Sequence, residues 1–367
     1  MCVTYYSIIS TLPIYLVSEL HAGKSDVGIV LASYTIASVL IRPFGGFALD
    51  KFGRRTIYLL ALLLYALFFC GYLVATTIVM LIVLRFIQGL TWGVTTIAGS
   101  TVAVDTIPDN KRGEGIGYFA LSTTLGMSFG PVVGLFICHH FGYTAMFISG
   151  IATSVISLVC ASFVKIPLMM PRLKVHFSWK NLFEKKAIIP SVNLLIIMTT
   201  YGGLLSFIAL YGREIGIQNT SLFFLVFSLG IATSRLAAGK SFDRNGPVKI
   251  LTICLSLMII GFPLLVIFDN AVGFYISAMV IGFGIGVVFP VFQTMVNNLA
   301  DVSRRGAANS TLFTALDLGM GSGMVIMGYV AQYYNISATF IISAVISLIG
   351  LIFFRKITAG HYEKNID

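Results

Sequence analysis

The sequence predicts an all-α polytopic membrane protein with two six-helix bundles. Hydrophobic residues make up 57% of the 367 residues and charged residues only 10%, whereas soluble domains carry roughly 25% charged residues. Apolar stretches of about 20 residues, the length that crosses a bilayer core, recur between short polar breaks. The period-two alternation of a membrane β-barrel is not evident in them. These patterns indicate about 12 transmembrane helices in contact with the lipid bilayer.

An internal repeat divides the helices into two halves. One offset, 193 residues, relates scattered charged and glycine positions. The pairs are Arg42/Arg235, Gly46/Gly239, Asp50/Asp243, Lys51/Arg244, Gly53/Gly246, Gly89/Gly282, Arg112/Arg305, Gly113/Gly306, Gly126/Gly319 and Gly130/Gly323. Because one spacing connects so many residues, the chain is one structural unit written twice. We expect the halves to be related by a pseudo-two-fold axis along the membrane normal.

Each half is predicted to contain six helices, because a helix satisfies its own backbone groups in lipid. The predicted spans are 1–17, 26–48, 57–75, 78–102, 114–137, 143–165, 188–210, 219–242, 248–268, 271–297, 307–330 and 336–354. The N-terminal half is 1–165, a polar connector follows at 166–186, and the C-terminal half is 187–367. The offset places the start of helix 1 near position −5 (188 minus 193), so we expect this helix to be truncated by a turn or two.

The distribution of Lys and Arg predicts the orientation in the membrane. The connections after the even-numbered helices, together with the C-terminal end, hold 19 of the 24 basic residues. Since cytoplasmic loops carry the excess of basic residues, both termini and the connector are expected in the cytoplasm. The expected location is a bacterial cytoplasmic (inner) membrane.

Composition and motif content argue against several other classes of protein. The net charge of +10 is spread over short loops, without the basic face and interleaved aromatics of a nucleic-acid-binding protein. The five cysteines form no CxxC pair, and neither a metal site nor a cofactor is expected. The sequence shows no nucleophile–base pair and no GxxxxGK(S/T) nucleotide loop. We therefore expect no enzymatic activity.

The connection between helices 2 and 3 contains a specific motif. It reads Gly46-Phe-Ala-Leu-Asp50-Lys51-Phe-Gly53-Arg54-Arg55, and Gly239, Asp243, Arg244 and Gly246 repeat it more weakly. The motif resembles the GxxxD(R/K)xGRR signature of the major facilitator superfamily, and the resemblance covers essentially the whole chain. It implies a conformational latch on the cytoplasmic side. The alternative is a solvated basic loop that only sets topology.

Helix 4 contains Arg85-Phe-Ile-Gln88-Gly89, which resembles the RxxQG motif of the same superfamily. Counted from the outer helix end near Ile78, Arg85 lies roughly 10 Å deep at 1.5 Å per residue. A charge at such a depth is costly unless it faces a partner or a cavity. The resemblance implies that Arg85 assists proton transfer or contacts the substrate. A structural arginine tied to carbonyl groups or to a buried acid is the alternative.

Helix 5 contains Gly126-Met-Ser-Phe-Gly130-Pro131-Val-Val-Gly134. This stretch resembles the GxxxGPxxG(G) signature of the antiporter branch, although Leu135 stands where many members have a second glycine. Glycines four apart allow close helix approach, and proline bends a helix. We expect an antiporter-type hinge here, with pure helix packing as the alternative.

Asp317 is the one carboxylate well inside a predicted span. Desolvation raises the pKa of a carboxyl group and a nearby arginine lowers it, so a buried aspartate beside a mobile arginine makes a proton switch. Arg42 and Arg85 are the candidate partners. A static buried ion pair is the alternative.

Uncharged polar and aromatic residues on other helices are candidates for substrate contact, and interhelical hydrogen bonding or ordinary core packing explains them about equally well. They are Gln88, Asn193, Gln293, Asn297, Tyr34 and Tyr118.

The resemblance implies a secondary active transporter with alternating access, acting as a monomer on a small molecule and on protons. The proline-bearing helix 5 favours proton-coupled efflux of small amphipathic or organic compounds, as in the drug:proton antiporter branch. One alternative is a proton symporter or uniporter for sugars or organic acids. An alternative of another class is a solute sensor or lipid flippase.

Overall fold

A computed structural model of the chain describes residues 1–107, 112–164, 184–300 and 305–365, and the regular elements of this part are helices. Most of the predicted connector, 166–186, lies outside these ranges. The α-helices are α1 Cys2–Ser18, α2 Lys24–Phe52, α3 Arg54–Phe69, α4 Ile78–Thr106, α5 Arg112–Ser162, α6 Ile188–Glu214, α7 Ser221–Ile267, α8 Ala271–Ile285, α9 Val288–Leu299, α10 Arg305–Tyr333, α11 Ile336–Phe353 and α12 Ala359–Asn365.

The predicted spans all have helical counterparts. Within the described ranges, nine helical stretches are long and apolar enough to cross a bilayer, and Cys2–Ser18 and Ser221–Ala237 are shorter apolar helices. The longest stretch, Leu125–Ser162, covers predicted helices 5 and 6. The prediction of an all-α polytopic membrane fold is therefore confirmed.

Two glycines separate predicted helices that follow each other without a loop. Gly142 in α5 has φ 81° and ψ 175°, and Gly246 in α7 has φ 67° and ψ 176°. A positive φ is readily adopted only by glycine. The chain therefore turns at Gly142, between the predicted spans 114–137 and 143–165, and at Gly246, between 219–242 and 248–268.

The predicted span 271–297 is divided into α8 and α9, a break that was not predicted from the sequence. Pro290 has no backbone N–H, so it cannot bond to the carbonyl of Gly286 four residues earlier. Arg235 Nε instead donates a hydrogen bond to that carbonyl oxygen at 3.1 Å. The helix therefore breaks here because Pro290 lacks the backbone donor, and the Arg235 side chain from α7 satisfies the Gly286 carbonyl in its place.

The helices form two compact units. The first contains residues 1–22 and the described part of 33–178, and the second contains residues 23–32 and the described part of 179–367. In the first unit α1 packs against α5 and α3 packs against α4, whereas in the second α6 packs against α10 and α7 packs against α8. The first turns of α2 thus belong to a different unit from the rest of that helix.

The same glycine crossings occur in both units. A Cβ atom on Gly89 of α4 would lie 2.9 Å from the carbonyl carbon of Tyr34 on α2. At the positions 193 residues later, a Cβ on Gly282 would lie 2.9 Å from the carbonyl carbon of Phe227. Such distances are shorter than real Cβ contacts, so only glycine permits these crossings. The sequence repeat therefore corresponds to a repeat of helix contacts.

Within the second unit, the first turns of α2 pack on α6 and α10. Lys24 Nζ donates to Glu214 Oε1 at 2.8 Å, and the Lys24 backbone N–H donates to Gln332 Oε1 at 2.6 Å. A Cβ on Gly28 would lie 3.1 Å from the carbonyl carbon of Met324. An exposed ion pair contributes at most about 1 kcal/mol. We attribute the attachment of this end of α2 mainly to the close backbone contact.

Candidate functional site

Arg85 is a buried cation in α4. Its side chain has 0% exposed surface, and it lies about 10 Å along the helix from Ile78 at 1.5 Å per residue. Within the described part of the chain, no hydrogen-bond partner reaches Nε, Nη1 or Nη2 of its guanidinium group. Arg85 is therefore a charged group with unused donors.

The crossing at Gly89 places this cation against α2. Because α4 approaches the backbone of Tyr34 so closely, Arg85, one turn earlier on α4, reaches the Tyr34 ring. Arg85 Cζ lies 4.5 Å from the centroid of that ring. An aromatic face attracts a cation, but it does not accept the in-plane N–H groups of a guanidinium as a carboxylate does. The ring contact therefore leaves the hydrogen-bonding capacity of Arg85 available.

Three more buried polar groups have unused hydrogen-bonding capacity. Gln88 Oε1 accepts a hydrogen bond from the Tyr72 hydroxyl at 2.8 Å, whereas Gln88 Nε2 has no partner among the described residues. The buried hydroxyls of Tyr34 and Tyr65 lie near each other, and that of Tyr72 lies near the guanidinium, but neither pair has the geometry of a hydrogen bond. We refer to Tyr34, Tyr65, Arg85 and Gln88 as the Arg85 donor cluster.

Aromatic rings extend from the Arg85 donor cluster. The ring of Trp92 lies 6.0 Å from that of Tyr34 and 6.2 Å from that of Tyr65, centroid to centroid. The ring of Tyr5, on α1, stacks on both Trp92 and Tyr34, at 4.6 Å and 5.1 Å. Rings from α1, α2, α3 and α4 thus form one connected aromatic group, and one of them, that of Tyr34, contacts the Arg85 cation. Such a setting suits a molecule that combines an apolar body with a polar end.

An unpaired cluster of this kind is costly. Removing an ion from water costs several kcal/mol even after relaxation, and each unsatisfied buried polar group costs about 1–3 kcal/mol. Because apolar residues fill a helix interface without this loss of stability, an ionisable residue inside a membrane span indicates a functional site.

The second unit provides an internal comparison, since it keeps the same helix crossings with apolar residues. The residues 193 positions after Tyr5, Tyr34, Tyr65, Tyr72, Arg85, Gln88 and Trp92 are Met198, Phe227, Met258, Leu265, Ala278, Ile281 and Ile285. Each of these seven is buried. The scaffold therefore packs without the polar groups, and their presence in the first unit is not required by the fold.

Arg85, Gln88 and Tyr34 were predicted from the sequence as site residues, whereas Tyr65 was not. Tyr65 lies on α3, outside any recognised motif, and reaches the cluster only through the packing of α3 on α4. Comparison of the two halves at the 193-residue offset was the signal that could have found it. At that offset tyrosine is replaced by Met258.

The other predicted polar residues form hydrogen bonds within the second unit. Asn193 is buried and its Nδ2 donates to Thr358 Oγ1 at 2.9 Å. Asn309, which was not predicted, joins the two remaining amides. Its Nδ2 donates to Asn297 Oδ1 at 2.8 Å, and its Oδ1 accepts from Gln293 Nε2 at 3.3 Å. These bonds account for part of their polarity, and their contact with substrate remains a prediction.

The predicted coupling residues Asp317 and Arg42 are both buried, with 7% and 9% exposed surface. Asp317 lies on α10 in the second unit and Arg42 on α2 in the first. A pairing of Asp317 with Arg42 or with Arg85 would join residues of different units and stays a prediction.

The structure describes only part of the predicted latch motif. Gly53 has φ 91° and precedes the first residue of α3, and Gly246, its repeat partner, also has a positive φ. Arg54 begins α3, and Arg55 Nη2 donates to the Ser162 carbonyl at 3.3 Å. The structure does not describe the contacts of the remaining predicted residues, which are Gly46, Asp50, Lys51, Gly239, Asp243, Arg244 and Tyr118.

The predicted hinge motif lies against α1. Cβ atoms on Gly130 and Gly134 would lie 2.8 Å from Val3 O and 2.8 Å from Ser7 Cβ, respectively. Ser7 Oγ also donates to the Gly130 carbonyl at 2.7 Å, next to Pro131. Gly126 meets the backbone of Cys2 in the same way. These glycines form one face of α5 that α1 approaches closely, and the role of Pro131 as a hinge remains a prediction.

The tight crossing predicts that Gly130→Ala lowers the stability of the protein. Its Cβ would lie 2.7 Å from Tyr6 Cβ, and such overpacking costs typically about 1–3 kcal/mol. Thermal unfolding of the purified protein should show a lower midpoint. Gly360→Ala is the control, because none of the described residues lies within 4 Å of a Cβ there, and its midpoint should match or exceed that of the wild type. An unchanged midpoint for Gly130→Ala contradicts the prediction.

Comparisons with known proteins agree with this architecture. The sequence profile of the Major Facilitator Superfamily matches residues 1–270 and 191–365. The staphylopine export protein of Staphylococcus aureus is 23% identical over 359 residues, which cover 93% of this chain and 89% of that protein. The multi-drug resistance efflux pump PmrA of Streptococcus pneumoniae is 24% identical over 372 residues, covering 95% and 92%. The similarity to a multidrug efflux pump agrees with the drug:proton antiporter branch that the motifs resemble.

A solved structure shows the same fold. A mutant form of the nucleoside transporter NupG matches with a TM-score of 0.80 at 16% identity, covering 96% of both chains. The profile covers more than half of the chain, and the motifs at helices 2, 4 and 5 agree with it. The chain therefore belongs to the Major Facilitator Superfamily of membrane transporters.

Proposed function

We propose that the protein is a proton-coupled exporter of small amphipathic or organic compounds that works by alternating access. The observation that carries this proposal is the glycine face of α5, with Gly126, Gly130 and Gly134 seated on α1 and Pro131 inside the helix. A close-packed helix with a proline is suited to bend between two states. Two relatives that span most of the chain are named for export or efflux, which supports the direction.

We further propose that Asp317 carries the coupled proton. Burial disfavours the charged form of a carboxyl group, and an approaching guanidinium favours it. A change in the distance from Asp317 to Arg42 or Arg85 during the cycle would therefore bind and release a proton. Ionisable residues inside membrane spans commonly mark such relays.

We also propose an orientation in the membrane and a role for the latch motif. Both termini and the connector lie in the cytoplasm of a bacterial inner membrane, in accordance with the distribution of Lys and Arg. The protein acts as a monomer. The two copies of the latch motif stabilise one state on the cytoplasmic side, and Gly53 and Gly246 supply its turns.

Reconstitution in liposomes tests the function. An imposed pH gradient is combined with a screen of candidate substrates, including a quinolone, a nucleoside, a sugar and an aromatic carboxylate, and both substrate and proton fluxes are measured. Proton movement opposite to substrate supports the proposal. Movement in the same direction identifies a symporter, and transport that ignores the gradient identifies a uniporter. Lipid movement identifies a flippase, and binding without flux identifies a sensor.

A further inference from the structure

We propose that the Arg85 donor cluster binds the carboxylate of an amphipathic organic substrate. The inference rests on the proposed transport function and names the substrate class of that site. It assigns Tyr34, Tyr65, Arg85 and Gln88 as the residues that hold the anionic group.

The chemistry of the free groups points to an anion. A guanidinium group has five N–H donors and no acceptor, and none of its three nitrogens has a hydrogen-bond partner among the described residues. Gln88 turns its acceptor, Oε1, to Tyr72 and leaves Nε2 unused. With two further hydroxyls, the cluster offers donors and one positive charge. An anion with several acceptor oxygens is the ligand that such a set binds best.

The geometry favours a carboxylate on an apolar body over a small inorganic anion. Arginine binds carboxylates through two parallel hydrogen bonds. The ring of Tyr34, which contacts Arg85, and the rings of Tyr5 and Trp92 lie 4.6–6.0 Å from one another and offer flat apolar surface next to the cation. A hydrated ion would gain nothing from those rings, whereas an aromatic or aliphatic body would bury apolar surface against them. A cationic head is disfavoured by the charge of Arg85.

Comparison of the two units indicates that the fold does not require the donor cluster. At the positions 193 residues after Tyr34, Tyr65, Arg85 and Gln88, the second unit has Phe227, Met258, Ala278 and Ile281. Those residues are buried around the corresponding glycine crossing. The donor cluster is therefore an addition to a scaffold that packs without it, as expected for a ligand site.

The cluster is closed in this structure, because Arg85 and Gln88 have no exposed surface. A carboxylate reaches them only when the helices around the cluster separate. Entry in one state and enclosure in another are what alternating access requires of a substrate site.

The test uses the full-length purified chain in detergent at neutral pH, with benzoate as the probe. The chain has two tryptophans, so Trp179→Phe leaves Trp92, which lies in the ring cluster, as the fluorescent reporter. Isothermal titration measures the same binding without a reporter. Benzamide is the neutral counterpart of benzoate, benzylamine is the cationic one, and phosphate and chloride represent inorganic anions.

Each substitution replaces a residue of the Arg85 donor cluster with the residue found 193 positions later in the second unit. Arg85→Ala should weaken benzoate binding at least about 30-fold, as truncation of one partner of a buried charged contact does. Tyr34→Phe and Gln88→Ile should each weaken it about tenfold. Met258→Leu, at the position equivalent to Tyr65, is the matched control and should leave affinity unchanged.

Stability distinguishes a binding role from a structural one. Without ligand, Arg85→Ala should unfold at the wild-type temperature or above it, since an unpaired buried charge is removed. Benzoate should raise the unfolding temperature of the wild type and not that of Arg85→Ala.

The inference is overturned if benzamide binds as tightly as benzoate, if phosphate or chloride displaces benzoate at equal concentration, or if Arg85→Ala keeps wild-type affinity. It is also overturned if the wild type binds no benzoate, or if Arg85→Ala unfolds at a lower temperature without ligand. Because binding is measured without a gradient, these results are independent of the liposome experiment. Benzoate binding without coupled proton flux would instead refute the proposed proton coupling.

Discussion

Asp317→Asn is expected to abolish proton-coupled transport while the protein remains folded. Asparagine has nearly the same volume as aspartate but cannot release a proton. At a buried position on α10, the neutral amide mimics the protonated carboxyl group permanently. The protein should then be unable to couple its cycle to a pH gradient, and gradient-driven accumulation of substrate should fall to background.

Proton flux and substrate flux in liposomes test this result, with exchange of substrate at equal pH on both sides as a second assay. Exchange should continue in Asp317→Asn, because it does not require proton release. Asp269→Asn, in the exposed turn between α7 and α8, is the control for loss of a carboxylate and should retain coupling. If Asp317→Asn accumulates substrate against a gradient as the wild type does, Asp317 is not the coupling residue.

Gly89→Ala is expected to lower stability and to disrupt the Arg85 donor cluster together. The new Cβ would lie 2.9 Å from both Cα and the carbonyl carbon of Tyr34. Backbone atoms cannot rotate away as a flexible side chain can, so α4 must move off α2. The cost is about 1–3 kcal/mol or more. The same movement displaces Arg85 from the Tyr34 ring and weakens carboxylate binding.

The equivalent substitution in the second unit is a matched control. Gly282→Ala brings a Cβ to 2.9 Å from the Phe227 carbonyl carbon, and the loss of stability should be similar. With Trp179→Phe in both variants, carboxylate binding and the fluorescence of Trp92 should change only in Gly89→Ala, since Trp92 lies one turn after Gly89 on α4. Equal effects of both variants on binding would show that the crossing at Gly89 has no special relation to the site.

Much of the fold could be predicted because it depends on local patterns. Apolar stretches of membrane-spanning length, glycines at turns such as Gly142 and Gly246, and the 193-residue offset all lie in short windows or at one fixed spacing. The division of α8 from α9 was missed, although Pro290 marks it. A proline inside a membrane helix does not by itself end the helix, and the break depends on Arg235 reaching the Gly286 carbonyl from α7.

The candidate site was predicted only in part, because some of its residues are brought together by contacts between helices. Arg85 and Gln88 lie in a motif on one helix, and their charge and polarity within an apolar stretch make them conspicuous. Tyr65 resembles the many other tyrosines of the chain. Its relevance follows from the packing of α3 on α4, which brings its hydroxyl into the same buried region without a hydrogen-bond partner in the described residues.

The sequence by itself determined the helical membrane fold, the repeat and the presence of a buried cation in α4. These properties follow from hydrophobic length and from residue identity at fixed spacing, which are local quantities. Only the tertiary structure decided which buried polar groups are satisfied. Gln88 Oε1 is paired with Tyr72, whereas Gln88 Nε2 and the Arg85 guanidinium have no hydrogen-bond partner among the described residues. Hydrogen-bond satisfaction depends on side chains from several helices meeting in space, so no single segment of the sequence encodes it.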